Sequence, residues 1–578
     1  MTKTIAKAIV LLALLPLLVL GFLPANTKAM YTTETFELIT AGASGLGGDG
    51  YSERPNVSAD GRYIVFGSSA TDLIPGEATN GNYQIFIYDV YTGVTKLITT
   101  GSSGIGGDGD SRFPEISADT STILFQSNAT DLIPGFTTNG SWQLYLYDVV
   151  SETFTLITPG LGGDGLSDTS SAWNNWGLSI SADGNKIAFG TSSNEVVPGT
   201  IPVWGHIYLY DVATSTTSIV SRGAGGMGGD SYSQVPTISA DGTKVVFHSN
   251  ASDLVDGITT VGQGNIFIYD VTTGITTLIT KGSSGVGTWG GCCSTTVISA
   301  DNSLVSFATS APDLIDGFTA NGNDQLYLYD VATEVITLVT TGPTGFGGDS
   351  ATYGSFITAD GKFVGFMSRA TDLINGIATT DADGNAFLYN VTTGEISLLS
   401  LGPLGLGGNA RSNRPTLSND LSVITFHSEA TDLIDGITTN GNRQIYAFIR
   451  TNFCDITFDS QNGTAPNTVT DVRHCVVTRP ADPVRSGYAF RGWYTAQTGG
   501  TPWDFNDPTS GDVTLYAQWA PVGGAVAPIV PGVPNTGVRR PAFSDSVRPS
   551  IVLVSAIMII GICPLLRKRL SDKEGSST

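Results

Sequence analysis

Short apolar runs alternate with clusters of Gly, Asp, Asn, Ser and Thr along most of this chain, in the two-residue period of strands and not the period of helices. One stretch shows the scheme. Val235 to Ser239 is a short strand, Asp241-Gly242 a tight turn whose Gly tolerates positive φ, and Lys244 to Ser249 a second strand. A longer segment, residues 251–264, leads to an alternating strand from Asn265 to Val271. Thr273-Gly274 turns the chain, and Thr276 to Thr280 is a fourth strand before a Gly-rich loop.

These parts recur in the same order. A Ser/Thr-x-Asp triplet returns at Ser58-Ala59-Asp60, Ser117-Ala118-Asp119, Ser181-Ala182-Asp183, Ser239-Ala240-Asp241, Ser299-Ala300-Asp301, Thr358-Ala359-Asp360 and Ser418-Asn419-Asp420. Its Asp residues stand 59, 64, 58, 60, 59 and 60 apart. Seven units of four antiparallel strands predict an all-β fold, a seven-bladed β-propeller over residues 30–451. The seventh unit ends at Gln444 to Ile449 without a fourth strand, whereas Glu34 to Thr40 has the look of one and is followed by the same Gly-rich loop. The N-terminal strand is expected to pair into the last blade and close the ring, which leaves no free edge there.

The blade pattern, Ser-Ala-Asp-Gly, then Val-x-Phe, then Ile-Tyr-x-Tyr-Asp, resembles the TolB-type, WD-like propeller repeat. The resemblance implies a scaffold for protein or ligand binding and no single activity. Residues 452–520 differ in character. Gly487-Tyr488, Phe490, Gly492-Trp493-Tyr494, Trp503-Asp504-Phe505 and Leu515-Tyr516-Ala517-Gln518-Trp519 resemble the internalin B repeat of Listeria and Bacteroides surface proteins. That resemblance implies a small β-grasp-like domain, a stalk or contact module without a common chemistry. Trp493, Trp503 and Trp519 read as its core, and Cys454 and Cys475 as a disulfide pair, with two buried thiols as the other reading.

Both ends are apolar. Lys3 and Lys7 precede an apolar run and small residues ending at Ala29, the layout of a signal peptide over residues 1–29. Residues 551–566 form a second apolar run, short for a full membrane span, and Arg567, Lys568 and Arg569 place the tail, residues 567–578, in the cytoplasm. Residues 521–550 form a Pro/Gly-rich spacer that contains Val533, Pro534, Asn535, Thr536 and Gly537. That pentapeptide resembles a sortase signal, with Val533 in place of Leu and a longer gap to the apolar run. The resemblance implies a sortase as partner and attachment to the cell wall. A plain membrane anchor is the other reading, and both put the protein on the cell surface.

Charge narrows the partners. With 28 Lys and Arg against 51 Asp and Glu, a net charge of −23, the chain lacks the basic clusters that bind nucleic acid. Catalytic motifs are missing: there is no Gly-x-Ser-x-Gly and no His-Glu-x-x-His, and the four His are scattered. His248 and His427 occupy one strand position in two units and read as packing residues. The long loops, from fourth to first and from second to third strand, share one propeller face and are rich in Asp, including Asp49, Asp108, Asp164, Asp230 and Asp349. They are candidate calcium ligands or, more plainly, carboxylates that cap their own turns; no other cofactor is expected. Trp142, Trp173, Trp176, Trp204 and Trp289 break the repeat in those loops and form a candidate rim for an unidentified protein or glycan, the alternative being local packing. Cys292 and Cys293 have no further ligands nearby to make a metal site. The function expected is non-catalytic surface binding or adhesion. The alternatives are a surface glycan hydrolase on a propeller scaffold and a structural envelope protein without a specific ligand.

Overall fold

The computed structural model describes residues 33–522 except 77–78, 103, 159–176, 194, 198–203, 224, 259, 261–263, 283–295, 317–320, 343–344, 346, 378, 380–383, 438, 452, 474, 476–478 and 506–511. Trp173, Trp176, Trp289, Asp164, Cys292, Cys293, the signal-like N-terminus, the pentapeptide 533–537 and the C-terminal apolar run fall outside these residues. Among the described residues no helix is long and apolar enough to cross a membrane.

Seven four-stranded antiparallel sheets carry the repeat. Blade 4 is Ser233–Ile238, Lys244–Ser249, Asn265–Asp270 and Ile275–Leu278, paired in that order. The first strands of all seven blades line one central channel, and in blades 1 to 6 the sheet runs outward from the axis in chain order. Blade 7 takes its outer strand from the other end of the chain: Thr33–Leu38 pairs antiparallel with Gln444–Thr451, Phe36 opposite Phe448 and Leu38 opposite Tyr446. Strand pairing stops at Leu38, but Ile39 N–H still donates to the Ile445 carbonyl at 2.9 Å.

Burial explains the blade pattern. The second strands are buried on both faces after their first residue, as in Lys244–Ser249. The third strands also bury both faces: Asn265 to Ile268 are all inside, so the apparent alternation of Asn265 to Val271 does not sort inside from outside. Neighbouring blades cover both sides of each sheet, and the apolar residues form a separate core at each junction. Blades 7 and 1, for example, share Val423, Ile445, Ile64 and Phe66. In every blade a Phe of the second strand stacks on the Phe or Tyr opposite it in the third, from Phe66 on Phe86 at 5.6 Å to Phe426 on Tyr446 at 5.8 Å. Such a pair contributes about 0.5–1.5 kcal/mol beyond the area it buries.

The Ser-x-Asp triplet is a turn lock. Ser58 Oγ donates to Asp60 Oδ1 at 2.6 Å and accepts the Tyr63 N–H at 2.9 Å, and Asp60 also accepts the Arg62 N–H. The triplets also link blades by backbone bonds at the inner rim, Asp119 N–H to Ala182 O and Ala182 N–H to Ala240 O. Asn419 N–H to Ala59 O at 3.0 Å makes the corresponding link between blades 7 and 1.

The small domain is a mixed four-stranded sheet in the order Asn467–Arg473, Phe453–Asp459, Val513–Pro521, Tyr488–Tyr494, with the central pair parallel. Its own core contains Ile456, Phe458, Trp493 and Leu515, with Trp503 and Trp519 half-buried against it. Cys454 and Cys475 are joined by a disulfide buried in that core.

Candidate functional site

The long loops meet on one face through paired side-chain clamps. Asp49, between an outer and an inner strand, accepts the Thr71 N–H at 2.6 Å and the Thr71 hydroxyl, while its own N–H donates to Asp72 Oδ1 at 3.0 Å. The same reciprocal clamp joins Asp108 to Thr130 and Asp131, Asp230 to Ser252 and Asp253, and Asp349 to Thr371 and Asp372. Burial works to raise the Asp49 and Asp108 carboxyls, but the threonine hydroxyl and N–H win and hold both below the ordinary value. Blade 7 uses Asn409 in the same slot, bonded to Thr431 N–H at 2.9 Å, so the clamp works without the charge. Among the described residues no group of three or more His, Cys, Asp or Glu comes together to hold a metal. In these clamps each carboxylate ties its own loop to the neighbouring loop 22 residues further along the chain.

This gives a direct test. Asp108→Asn is expected to change stability by less than about 0.5 kcal/mol, and Asp108→Ala to cost about 1–2 kcal/mol. Chemical denaturation of both variants, with and without calcium, measures it; an Asn variant as damaged as the Ala variant would show that the charge itself is needed.

A second polar layer was not evident from the sequence. Buried Gln84 accepts the Thr99 hydroxyl at 2.6 Å and the Gly107 N–H, and donates to Gly107 O. Gln325 does the same with Thr340 and Gly348, and Gln444 with Thr40 and Gly48. Each pins a Gly-rich loop to the start of a third strand. His206 holds the equivalent place in blade 3 and is buried.

Of the candidate rim, Trp204 is exposed and Trp142 is half-buried, packed on the core between blades 2 and 3 with the Arg112 guanidinium 6.0 Å from its ring centre. Both stand just before third strands of neighbouring blades, on the loop-rich face.

The central channel, about 470 Å³, holds what the sequence reading passed over. Inner strands bulge at equivalent places, with register shifts between Glu53 and Asn56, Arg112 and Glu115, Gln234 and Thr237, and Asn413 and Thr416. The bulge residues Arg54, Phe113, Val235 and Arg414 have φ of 55°, 59°, 53° and 51°, a left-handed backbone that costs such residues about 1–3 kcal/mol. Each precedes a Pro, which has no N–H to leave unpaired where the ladder slips. The geometry is common to these blades; the side chains are not. Blades 7 and 1 present Arg414 and Arg54, and blade 2 presents Phe113 and Glu115.

Arg54 lays its guanidinium 3.9 Å above the Phe113 ring, and its backbone N–H donates to His427 Nδ1 at 3.0 Å. Burial first, then the guanidiniums of Arg443, Arg414, Arg54 and Arg411, hold the His427 ring well below its ordinary pKa, so it stays neutral and accepts that bond. His248, buried in blade 4, is pushed down to about 4 by burial alone and faces Gln234. Both histidines pack the strand position they share. The available signal for the channel was Arg-Pro in units one and seven, where units two and four have Phe-Pro and Val-Pro and the other three have no Pro.

Comparison with known proteins bears on the small domain. Residues 455–518 match the Listeria-Bacteroides repeat domain. Internalin H of Listeria monocytogenes is 39% identical over 77 residues, 13% of this chain and 14% of that protein. A protein of Evansella cellulosilytica named as a Gly-rich membrane protein is 35% identical over 79 residues, 14% of this chain and 9% of that protein. The chain thus spans a small part of the length of the curated relatives it matches. The propeller aligns with solved structures at low identity. An oligogalacturonate lyase from Vibrio parahaemolyticus is 12% identical, with 72% of this chain and 97% of that one covered and a TM-score of 0.44. TolB from Acinetobacter baumannii is 16% identical, with 67% and 80% covered and a TM-score of 0.33. The propeller assignment rests on the strand pairing described above.

Proposed function

We propose that this chain is a bacterial cell-surface protein whose propeller binds a ligand without transforming it, the Listeria-Bacteroides repeat and the spacer holding it away from the envelope. The repeat at 455–518, shared with an internalin and a protein named as a membrane protein, is the observation that carries this reading. In this reading residues 1–29 are a signal peptide, 30–451 the propeller, 452–520 the repeat domain, 521–550 the spacer and 551–566 the anchor. The loop-rich face, with Trp204 exposed on it, is where a ligand from outside would first meet the protein.

Protein and glycan arrays probed with residues 30–520 test the reading. Specific binding weakened by Trp204→Ala at unchanged melting temperature supports it. Cleavage of a polysaccharide panel would replace binding with hydrolysis, and binding no higher than background would favour a purely structural envelope role.

The mode of anchoring has its own test. If residues 533–537 are a sorting signal, Thr536→Ala moves the protein from the wall fraction to the membrane fraction of the producing cell. Unchanged fractionation leaves the apolar run as the sole anchor.

A further inference from the structure

In a chain where Asp and Glu outnumber Lys and Arg 51 to 28, four arginines gather where blades 7 and 1 meet. Arg54, Arg411, Arg414 and Arg443 all act on the same buried His427. Arg443 is neutralised, paired with Glu53 and with Glu429 at 2.8 Å. Arg54 and Arg414 are different. Both line the channel, and among the described residues neither guanidinium has a carboxylate within ion-pairing distance.

Their placement is built in. Each is the left-handed bulge residue ahead of a Pro on the inner strand of adjoining blades, so the two side chains leave the wall at equivalent points. Phe113 backs the Arg54 guanidinium. Burial and the neighbouring Arg414 both disfavour the charge on Arg54. Glu53 attracts both guanidiniums and Glu115 attracts Arg414, but only at a distance. Two buried guanidiniums without a direct ion pair are incompletely satisfied in the empty protein, and such a local departure marks a site that a ligand can complete. Glu115, further round the wall, attracts Arg414 without pairing directly with it. Burial pushes its carboxyl up to about 8, against the pull of Arg414. The channel's remaining wall includes Ser179, Thr237 and Phe356, and its volume is that of a small-molecule site.

We infer that the central channel binds a small organic anion, its carboxylate held by the guanidiniums of Arg54 and Arg414. Planar guanidinium forks match the two oxygens of a carboxylate, and the channel walls keep that contact partly dry. This inference is independent of where the protein is displayed and of the tryptophan rim.

Titration calorimetry and thermal melting of the full chain test it with acetate, citrate and glucuronate, with glucose as the neutral control and inorganic phosphate as the competing anion. At least one carboxylate is expected to bind one to one and raise the melting temperature, while glucose does neither. Arg54→Gln and Arg414→Gln should each weaken that binding about tenfold or more, and Arg414→Lys by less. Without ligand, both Gln variants should still melt in one cooperative propeller transition, since the bulge backbone and the adjoining Pro are kept. The inference is overturned if no carboxylate binds at millimolar concentration, or if phosphate binds and carboxylates do not. It is also overturned if the double Gln variant binds as tightly as the parent, or if the Gln variants melt well below it with binding intact.

Discussion

A chain lacking residues 33–40 is expected to lose the single cooperative melting of the propeller and to aggregate. The deleted segment supplies all of blade 7's outer strand, six residues in register from Thr33 opposite Thr451 to Leu38 opposite Tyr446. It also supplies Ile39, part of the core between blades 7 and 1, and the Thr40 hydroxyl that donates to buried Gln444 at 2.7 Å. Without it, Gln444–Thr451 becomes an open edge bearing Ile445, Tyr446 and Ile449, the kind of strand that templates aggregation. Calorimetry and light scattering measure both outcomes. A point variant separates packing from chain length: Phe36 stacks on Phe448 at 4.4 Å, and Phe36→Ala should cost about 3 kcal/mol. A truncated chain that stays monodisperse and melts as the parent does would show that the ring is held shut elsewhere.

Replacing Cys454 and Cys475 together by Ser should unfold the small domain selectively. The disulfide closes a loop with a sequence separation of 21, and losing that constraint costs about 3 kcal/mol in the chain-entropy account. A domain of this size has little stability to spare, so its transition should fall by roughly 10–20 °C. Its core of Ile456, Phe458, Trp493 and Leu515 is separate from the blade cores, so the propeller transition should not move. Tryptophan fluorescence of Trp493 and Trp519 with scanning calorimetry distinguishes the two transitions. A shift of only a few degrees would mean that the aromatic core alone holds this sheet.

The repeat was legible because it is written locally. Asp241-Gly242 and Thr273-Gly274 fix turns through their own backbone preferences, and the short apolar runs between them form strands whatever lies beyond. The missing fourth strand after Ile449 and its counterpart at Glu34 to Thr40 were legible for the same reason, and the strand pairing agrees with them. Residues 455–518 showed their kinship through a dense set of aromatic and Gly positions. Composition alone gave the acidic loops, but the job of their carboxylates could not be read from it. Asp108 and Thr130 lie 22 residues apart, and only the shared face makes them partners.

The channel was the least legible part, and the reason is topological. Arg54 and Arg414 stand at opposite ends of the repeat array and become neighbours only when the N-terminal strand completes blade 7 and the seventh blade packs against the first. Burial on both faces of the middle strands has the same origin, since each blade's environment is its neighbour and not its own sequence. The sequence by itself therefore determined strands, turns, the number of blades and the small domain, all set by interactions within a few tens of residues. Ring closure decided which side chains share the axis, because that depends on surfaces meeting across the full length of the propeller.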